Sequence, residues 1–331
     1  MSSLSTLIFR NNIIESQHSI KCYIGSLNGN TIFSTNNIND LIYPRSSIKI
    51  FQGIPFSDSK AIDFYKLNKK QIALSCSSHN AESFHIKELK SWLKKTSLTT
   101  SHLKCGIHNP LDKKSAEKLF LSGKKPYQIH NNCAGKHLAM LSSCLMNKLP
   151  IKNYLDFDHP HQESIRKVFS IFTESNIPTK NYGIDGCSAP QYAFKIRDLT
   201  QGLCNLLKSY NGRFEYAENV KLFINSIIMN PLFIGGSKNL DSNLIKISNK
   251  KIFCKGGAEG VFLFIHLKKG IFGVLKVIDG NERVLPSAVY ALFEKFKIIG
   301  KEDLRKLKEW SNLELQNHAK IKIGAIKTII K

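Results

Sequence analysis

The sequence contains few arginines, few acidic residues and no long apolar run. Only 7 of its 48 basic residues are arginine, and 25 aspartates and glutamates leave a formal net charge of +23. No apolar run approaches the ~20 residues that a membrane-spanning helix requires. The N-terminal residues lack a basic segment followed by a long apolar stretch, so they do not resemble a secretory signal. We therefore expect a cytoplasmic protein without a membrane segment.

A net charge of +23 would by itself suggest an anionic partner such as nucleic acid. The 41 lysines, however, are scattered along the chain and form no stripe. Arginine, which contacts bases and phosphates bidentately, is scarce. The abundance of Lys, Asn and Ile is typical of AT-rich coding sequence, so we expect no nucleic-acid partner.

The chain also lacks a CxxC pair and a dense cysteine framework. Its eight cysteines are spread over the whole sequence, which favours free thiols over disulfides where no signal sequence is visible. With 42% hydrophobic residues the chain can bury a core. This composition excludes disordered, collagen-like and simple coiled-coil proteins.

Hydrophobic periodicity predicts an α+β fold. Apolar and polar residues alternate over the first forty residues, with a turn at Asn28–Gly29, and strand patterns return from about 250 onward. Between about 60 and 230 the apolar residues recur at helical spacing, for example over 83–95. Strands at both ends of a chain usually meet in one antiparallel sheet. We predict a single domain over 1–331, with an α/β lobe of about 1–60 and 235–331 and an inserted, mainly helical lobe of about 61–234.

Three short segments contain serine and lysine in a pattern that is used for acyl transfer. PRSSIK places Ser46 and Lys49 one helical turn apart, so that a neutral lysine could take the serine proton. SHN supplies Ser78, and CKGG supplies Lys255 on a strand whose glycines allow close approach to the backbone. Each segment alone also fits a helix cap or a loop lysine. The three together, in this order, predict acyl transfer.

Two further segments place a cysteine at the predicted start of a helix, where the thiolate is favoured. NNCAGKH contains Cys133, Lys136 and His137, and GIDGCSAP contains Asp185 and Cys187. Two cysteines and a histidine are the beginning of a zinc site, and a nearby aspartate could bind the metal or orient an amino group. Half-buried free thiols would also explain these cysteines.

The chain resembles the thermolabile, Rhizobium-type L-asparaginase II family from about residue 7 to 290. The resemblance rests on ESQHS, PRSSIK, SCSSHNAE, NNCAGKHLAML, YGIDGCSAP, KGGAEGVF and LKVIDGN, of which CAGKH and GIDGC are the most specific. It implies hydrolysis of L-asparagine to L-aspartate and ammonia. It also implies a fold akin to serine β-lactamases and glutaminases, and a homodimer.

The resemblance further implies roles for individual residues. The two catalytic Ser–Lys tandems of the family correspond to Ser46–Lys49 and Ser78–Lys255. Its zinc ligands correspond to Cys133, Lys136 and Cys187, and residues that line the same pocket correspond to Arg45, His137 and Asp185. Asp241 stands where some members have a further cysteine. Zinc is therefore expected as a cofactor whose affinity can differ and which need not be essential.

On this interpretation Ser46, deprotonated by Lys49, attacks the side-chain amide carbon of asparagine, and water hydrolyses the resulting ester. Neighbouring cations should depress the pKa of at least one lysine. Two alternatives remain open. One is a related amidohydrolase that acts on glutamine or another small amide, and the other is a non-catalytic protein that binds zinc or nucleic acid.

Overall fold

The structure is a computed structural model that describes residues 2–36, 38–311 and 313–331. Its strands are β1 (Leu4–Arg10), β2 (Ile13–Ser26), β3 (Thr31–Ser34), β4 (Leu41–Ile42), β5 (Tyr182–Ile184), β6 (Pro190–Tyr192), β7 (Phe194–Lys195), β8 (Ile252–Gly257), β9 (Val261–His266), β10 (Ile271–Val277), β11 (Glu314–Gln316) and β12 (Lys322–Ile330). Its α-helices are α1 (Lys49–Asp58), α2 (Ala61–Phe64), α3 (Lys69–Ser75), α4 (Ser83–Lys95), α5 (Lys113–Leu121), α6 (Ala134–Met146), α7 (Pro160–Thr173), α8 (Ile196–Tyr210), α9 (Ala217–Met229), α10 (Leu240–Ile247), α11 (Leu285–Lys295) and α12 (Lys301–Ser311).

The chain divides into two compact units. Unit 1 comprises Met1–Ser47, Phe194–Leu207 and Leu244–Lys331, and unit 2 comprises Ile48–Ala193 and Lys208–Asn243. The sequence predicts boundaries between the two lobes at about residues 60 and 234. The segment 194–207 belongs to unit 1, where β7 pairs with β4. That all 331 residues form one domain stays a prediction.

Unit 1 is built on an antiparallel sheet in which strands from both ends of the chain meet. Its order is β11-β12-β1-β2-β10-β9-β8, with β3 paired to β2, so the predicted α+β class and its sheet are confirmed. The predicted turn also forms, because Gly29 adopts φ +85° between β2 and β3. The segments NNIIES and SIKCYIG both contribute to the single 14-residue strand β2.

Side chains from α11 cover one part of this sheet. The ring centroid of Phe293 on α11 lies 4.9 Å from that of Phe264 on β9. A hydrogen bond between hydroxyls continues the contact, since Ser287 Oγ on α11 lies 2.8 Å from Thr328 Oγ1 on β12. The turn after β10 is joined to β2 through His18, whose Nδ1 lies 2.6 Å from Asp279 Oδ2. The ESQHS and VIDGN segments therefore meet within unit 1.

Unit 2 is a helical unit centred on α1. Almost every residue of α1 is buried, as expected for a helix that is surrounded by others. Phe51 packs against Phe169 and Phe172 of α7, with centroid distances of 5.9 and 5.2 Å. On another side, Gly53 faces Phe223 of α9, where an added Cβ would lie 3.0 Å from the ring.

None of the described helices has both the length and the apolar composition needed to cross a membrane.

A close approach between α6 and α3 requires glycine at position 135. A Cβ atom there would lie 2.1 Å from the carbonyl oxygen of Leu74. Gly135→Ala should therefore lower the free energy of unfolding by about 3 kcal/mol, because the added methyl forces the two helices apart. Urea denaturation of the full-length protein measures the free energy of unfolding.

Gly300→Ala is the matched control, since an added Cβ at Gly300 meets no atom within 4 Å. It should cost less than about 1 kcal/mol. Equal destabilisation by both substitutions would show that the contact with Leu74 is not what requires glycine in CAGKH.

Candidate active site

Lys49 occupies the first position of α1 and is buried among polar atoms of unit 2. The chain enters α1 through a short 3-10 helix, Arg45–Ile48, which contains the rest of PRSSIK. The Lys49 amine donates to the backbone carbonyl of Ser77 and to Ser78 Oγ at 3.2 Å. It also lies 3.2 Å from Cys133 Sγ. One buried lysine thus connects the start of α1, the loop after α3 and the start of α6.

Backbone hydrogen bonds hold the loop that contains Ser78. The Ser78 amide donates to the Ile234 carbonyl at 2.9 Å, and the His79 amide donates to the Asn132 carbonyl at 3.2 Å. His79 is fully buried, and burial keeps its pKa well below the usual range, so its ring is neutral. The Ser78 hydroxyl is therefore carried by a loop that is fixed on both sides.

The CAGKH segment lies where the sequence predicts it. Cys133 immediately precedes α6, and its amide donates to Asn131 Oδ1 at 2.9 Å. Lys136, one turn further along α6, points its amine at Cys187 Sγ at 3.1 Å. Both Cys133 and Lys136 are 3% exposed, so their polar atoms must find partners inside the protein.

The prediction that Cys187 begins a helix is wrong. YGIDGCSAP forms a β-hairpin in which β5 pairs with β6, and Cys187 lies in the turn between them. The turn is closed by the Ser188 amide, which donates to the Asp185 carbonyl at 2.8 Å. Strands of three residues are too short to show a period of two, and the Asp-Gly pair fits a hairpin turn as well as a helix cap.

The hairpin brings three metal-ligating side chains together. One sulfur each from Cys133 and Cys187 and a carboxylate oxygen of Asp185 all lie within 4.8 Å of one another. The Asp185 Oδ2 atom is 3.2 Å from Cys187 Sγ. Two sulfurs, a carboxylate oxygen and the nearby Lys136 amine form a donor set that suits zinc, which prefers nitrogen and sulfur ligands in closed sites.

The two thiols share one negative charge. A hydrogen bond from Cys133 is the largest cause that lowers the pKa of Cys187, to about 6, and the Lys136 cation lowers it further, whereas burial and Asp185 oppose this. The same hydrogen bond, together with burial, raises the pKa of Cys133 to about 12. At neutral pH Cys187 is therefore the thiolate and Cys133 the thiol that donates to it.

Lys136 does not have the depressed pKa expected for a lysine among cations. Burial alone would lower it, but the sulfurs of Cys187 and Cys133 and the carboxylate of Asp185 together raise the pKa of Lys136. Local anions therefore outweigh both desolvation and the neighbouring positive charge. Lys136 is a cation here and serves as a counter-ion for the Cys187 thiolate.

His137 follows Lys136 on α6 and is fully buried. Its Nδ1 atom lies 2.6 Å from the hydroxyl oxygen of Tyr154. The same oxygen accepts a hydrogen bond from the backbone N–H of Lys104 at 3.0 Å. Burial and the Lys136 charge lower the pKa of His137 to about 3, so the imidazole is neutral. Sequence reasoning missed Tyr154, because no motif surrounds it.

The remaining predicted residues lie in unit 1. A Cβ at Gly257 would lie 2.4 Å from the Pro44 carbonyl oxygen and 3.3 Å from the Ser46 amide nitrogen, so β8 runs directly against the Ser46 segment. The Lys255 amine donates to the carbonyl of Gly256 at 2.8 Å. Lys255 and Ser46 are thus on adjacent segments of the same unit, and the second glycine of KGG is what allows that approach.

Arg45 has φ +52° and its guanidinium lies 3.9 Å from Glu259 Oε1. Sequence reasoning gave Glu259 no role, although the quoted motif KGGAEGVF contains it. The structure therefore places Arg45, Ser46 and Lys255 on adjacent segments of unit 1. In unit 2 it brings together Lys49, Ser78, Cys133, Lys136, His137, Asp185 and Cys187, by the contacts and charge interactions given above.

These features define an α+β protein that has a serine in contact with a buried lysine and, beside that lysine, a cysteine–lysine–aspartate cluster. A sequence profile of the family described as L-asparaginase II matches residues 7–328, and the chain belongs to that family. None of the curated proteins matches the chain.

Among solved structures, the chain is similar to a protein described as "putative beta-lactamase from Bacteroides dorei DSM 17855". The two are 11% identical and superpose with a TM-score of 0.37, with 88% of this chain and 93% of that chain covered.

The Cys133–Cys187 pair generates a test of the electrostatic argument. In metal-free protein the Cys187 thiolate should form with a midpoint near pH 6 and be present above it. Lys136→Met removes the cation that stabilises the thiolate, so the midpoint should rise and less thiolate should be present at neutral pH. The ultraviolet absorbance of the thiolate, titrated against pH, measures the midpoint.

Cys187→Ser identifies the signal, because it removes the titrating group. Lys94→Met, at an exposed lysine of α4, is the matched control and should leave the midpoint unchanged. If the midpoint in Lys136→Met equalled that of the unaltered protein, Lys136 would not be the counter-ion of the thiolate.

Proposed function

We propose that this protein is an L-asparaginase, which hydrolyses L-asparagine to L-aspartate and ammonia through a serine nucleophile. Membership of the L-asparaginase II family supports an amidohydrolase with a small-molecule substrate. The single observation that carries the proposal is the contact, at 3.2 Å, of the buried Lys49 amine with the hydroxyl of Ser78, the second of the two predicted catalytic serines. A buried lysine beside a serine is an arrangement that activates serine for attack on an amide.

In the proposed reaction Ser46 attacks the side-chain amide carbon of asparagine and its proton passes to Lys49. The bond from that carbon to the amide nitrogen breaks, ammonia leaves with the proton, and water hydrolyses the β-aspartyl ester. Ser78 and Lys255 relay protons, and the contact between Lys49 and Ser78 supports an exchange of roles between the two serines.

The substrate's own charges suggest how it is held. Asp185 is assigned to the α-ammonium group and Arg45 to the α-carboxylate, since each offers the opposite charge. His137 completes the substrate-binding set. The neutral state of its buried ring supports a hydrogen-bonding role over an ionic one.

We assign zinc to Cys133, Lys136 and Cys187, with Asp185 close enough to contribute. The sulfurs and the carboxylate oxygen lie within 4.8 Å of one another, which suits a tetrahedral site. Lys136 and Cys133 would have to lose their protons to bind, so zinc affinity should rise with pH. When bound, the metal would supply positive charge that orients the substrate. A cytoplasmic homodimer is part of the same proposal.

The main test is ammonia release from L-asparagine by purified protein. Ser46→Ala should reduce turnover at least about 10³-fold without unfolding the protein, because the nucleophile is lost. Ser47→Ala is a matched control from the same segment, since the buried Ser47 hydroxyl donates to the Pro44 carbonyl at 2.6 Å and takes no part in the reaction. Near-normal activity of Ser46→Ala would contradict the nucleophile assignment.

L-glutamine, assayed in the same way, separates the proposal from its nearest alternative. Faster release from asparagine supports an asparaginase, whereas release from glutamine alone would identify a related amidohydrolase. Release from neither substrate would contradict both.

Metal analysis tests the zinc assignment. Cys133→Ser and Cys187→Ser should each lower zinc content and weaken zinc binding at least about 10-fold, because each removes a sulfur ligand. Cys204→Ser, on α8 outside the cluster, should retain the metal of the unaltered protein. Unchanged zinc in both cluster variants would rule out this site.

A further inference from the structure

The hydrogen bonds around His137 determine which of its ring nitrogens carries the proton. Tyr154 and His137 are both completely buried, so neither side chain can turn to solvent for a partner. The Tyr154 oxygen accepts the Lys104 backbone N–H at 3.0 Å and lies 2.6 Å from His137 Nδ1. The other ring nitrogen, Nε2, has no hydrogen-bond partner among the described residues.

Two arrangements of protons fit these distances. In the first, the Tyr154 hydroxyl donates to Nδ1, and Nε2 carries the imidazole proton. In the second, Nδ1 carries that proton and donates to the Tyr154 oxygen, which leaves both the Tyr154 hydroxyl hydrogen and the Nε2 lone pair without partners. A buried polar group without a partner destabilises the folded protein. The first arrangement leaves one such group and the second leaves two, so the first is favoured.

The first arrangement leaves a buried N–H donor that needs an acceptor. His137 directly follows Lys136 on α6. The Lys136 cation has only donors, and neither the Asp185 carboxylate nor the Cys133 sulfur makes a hydrogen bond to Nε2, because that nitrogen has no partner among the described residues. The acceptor that fits is an oxygen of a molecule bound in the site.

We propose that Tyr154 is a positioning residue, which fixes His137 as an Nε2–H donor to a carboxylate or amide oxygen of the substrate. The inference rests on the proposed function for the identity of that substrate. The tautomer itself depends only on Tyr154, Lys104 and the buried ring. Fixing the donor before substrate binds removes the cost of selecting a tautomer during each turnover.

Nitrogen-15 NMR of full-length protein labelled at histidine tests the tautomer directly. In the unaltered protein the His137 signals, identified by their loss in His137→Gln, should show a protonated Nε2 and an unprotonated Nδ1. In Tyr154→Phe the Nδ1 acceptor loses its donor, so the two nitrogens should shift toward an average of both tautomers. Tyr192→Phe, at another fully buried tyrosine of unit 2, should leave the His137 signals unchanged.

Steady-state kinetics gives the second measurement. Tyr154→Phe should raise KM for L-asparagine by about 2- to 10-fold, as expected for one misoriented hydrogen bond, with a smaller effect on kcat. A merely structural role for the tyrosine would lower thermal stability without moving the tautomer signals.

A protonated Nδ1 in the unaltered protein would overturn the proposal, even if Tyr154→Phe failed to fold. Unchanged His137 signals in a folded Tyr154→Phe would also overturn it. Failure of the asparaginase proposal would give a different result. Neither the unaltered protein nor any variant would then hydrolyse L-asparagine, while the NMR signals of His137 would still report its tautomer.

Discussion

The polar core of unit 2 depends on the burial of one lysine. Lys49 is 1% exposed, and an amine cannot be buried at this depth unless its polar hydrogens have partners. Its partners come from the Ser77–Ser78 loop and from Cys133, so satisfying this amine fixes three segments that are far apart in sequence. Because Lys49 is also the first residue of the largely buried helix α1, the hydrophobic packing of α1 determines where the amine lies. Core packing and site chemistry are thus one constraint in this protein.

The neighbouring cluster shows how charges of opposite sign are balanced where water is excluded. Two thiols, one carboxylate and one lysine lie close together, and the lowest-energy distribution gives one thiolate, on Cys187, beside the Lys136 cation. The second sulfur keeps its proton because it donates to the first.

Close backbone contacts decide the geometry in both units. In unit 1, Gly257 allows β8 to run against the Ser46 segment, and in unit 2, Gly135 allows α6 to lie on α3. Each glycine belongs to a motif that also contains a candidate functional residue. The motifs KGG and CAGKH are therefore required both for close packing, through their glycines, and for the chemistry of the candidate functional residues. A side chain at either glycine would displace the segment that carries Lys255 or Cys133.

Local sequence patterns determined much of this fold. Alternating apolar and polar residues at both ends of the chain predicted the antiparallel sheet, and apolar residues at helical spacing predicted α4 with its observed limits. Both predictions succeed because the spacing of apolar residues along the chain follows which face of an element is buried. The CAGKH motif also lies at a helix start, as its sequence predicts. GIDGC does not, since its three-residue strands are too short for a period to show. Tyr154 contacts His137 in unit 2 and Glu259 lies beside Arg45 in unit 1, in both cases between residues that are distant in sequence. The protonation of Lys136 and Cys187 likewise depends on neighbours from separate segments. Tertiary structure alone decided these, because hydrogen bonds and Coulomb interactions depend on distances in space.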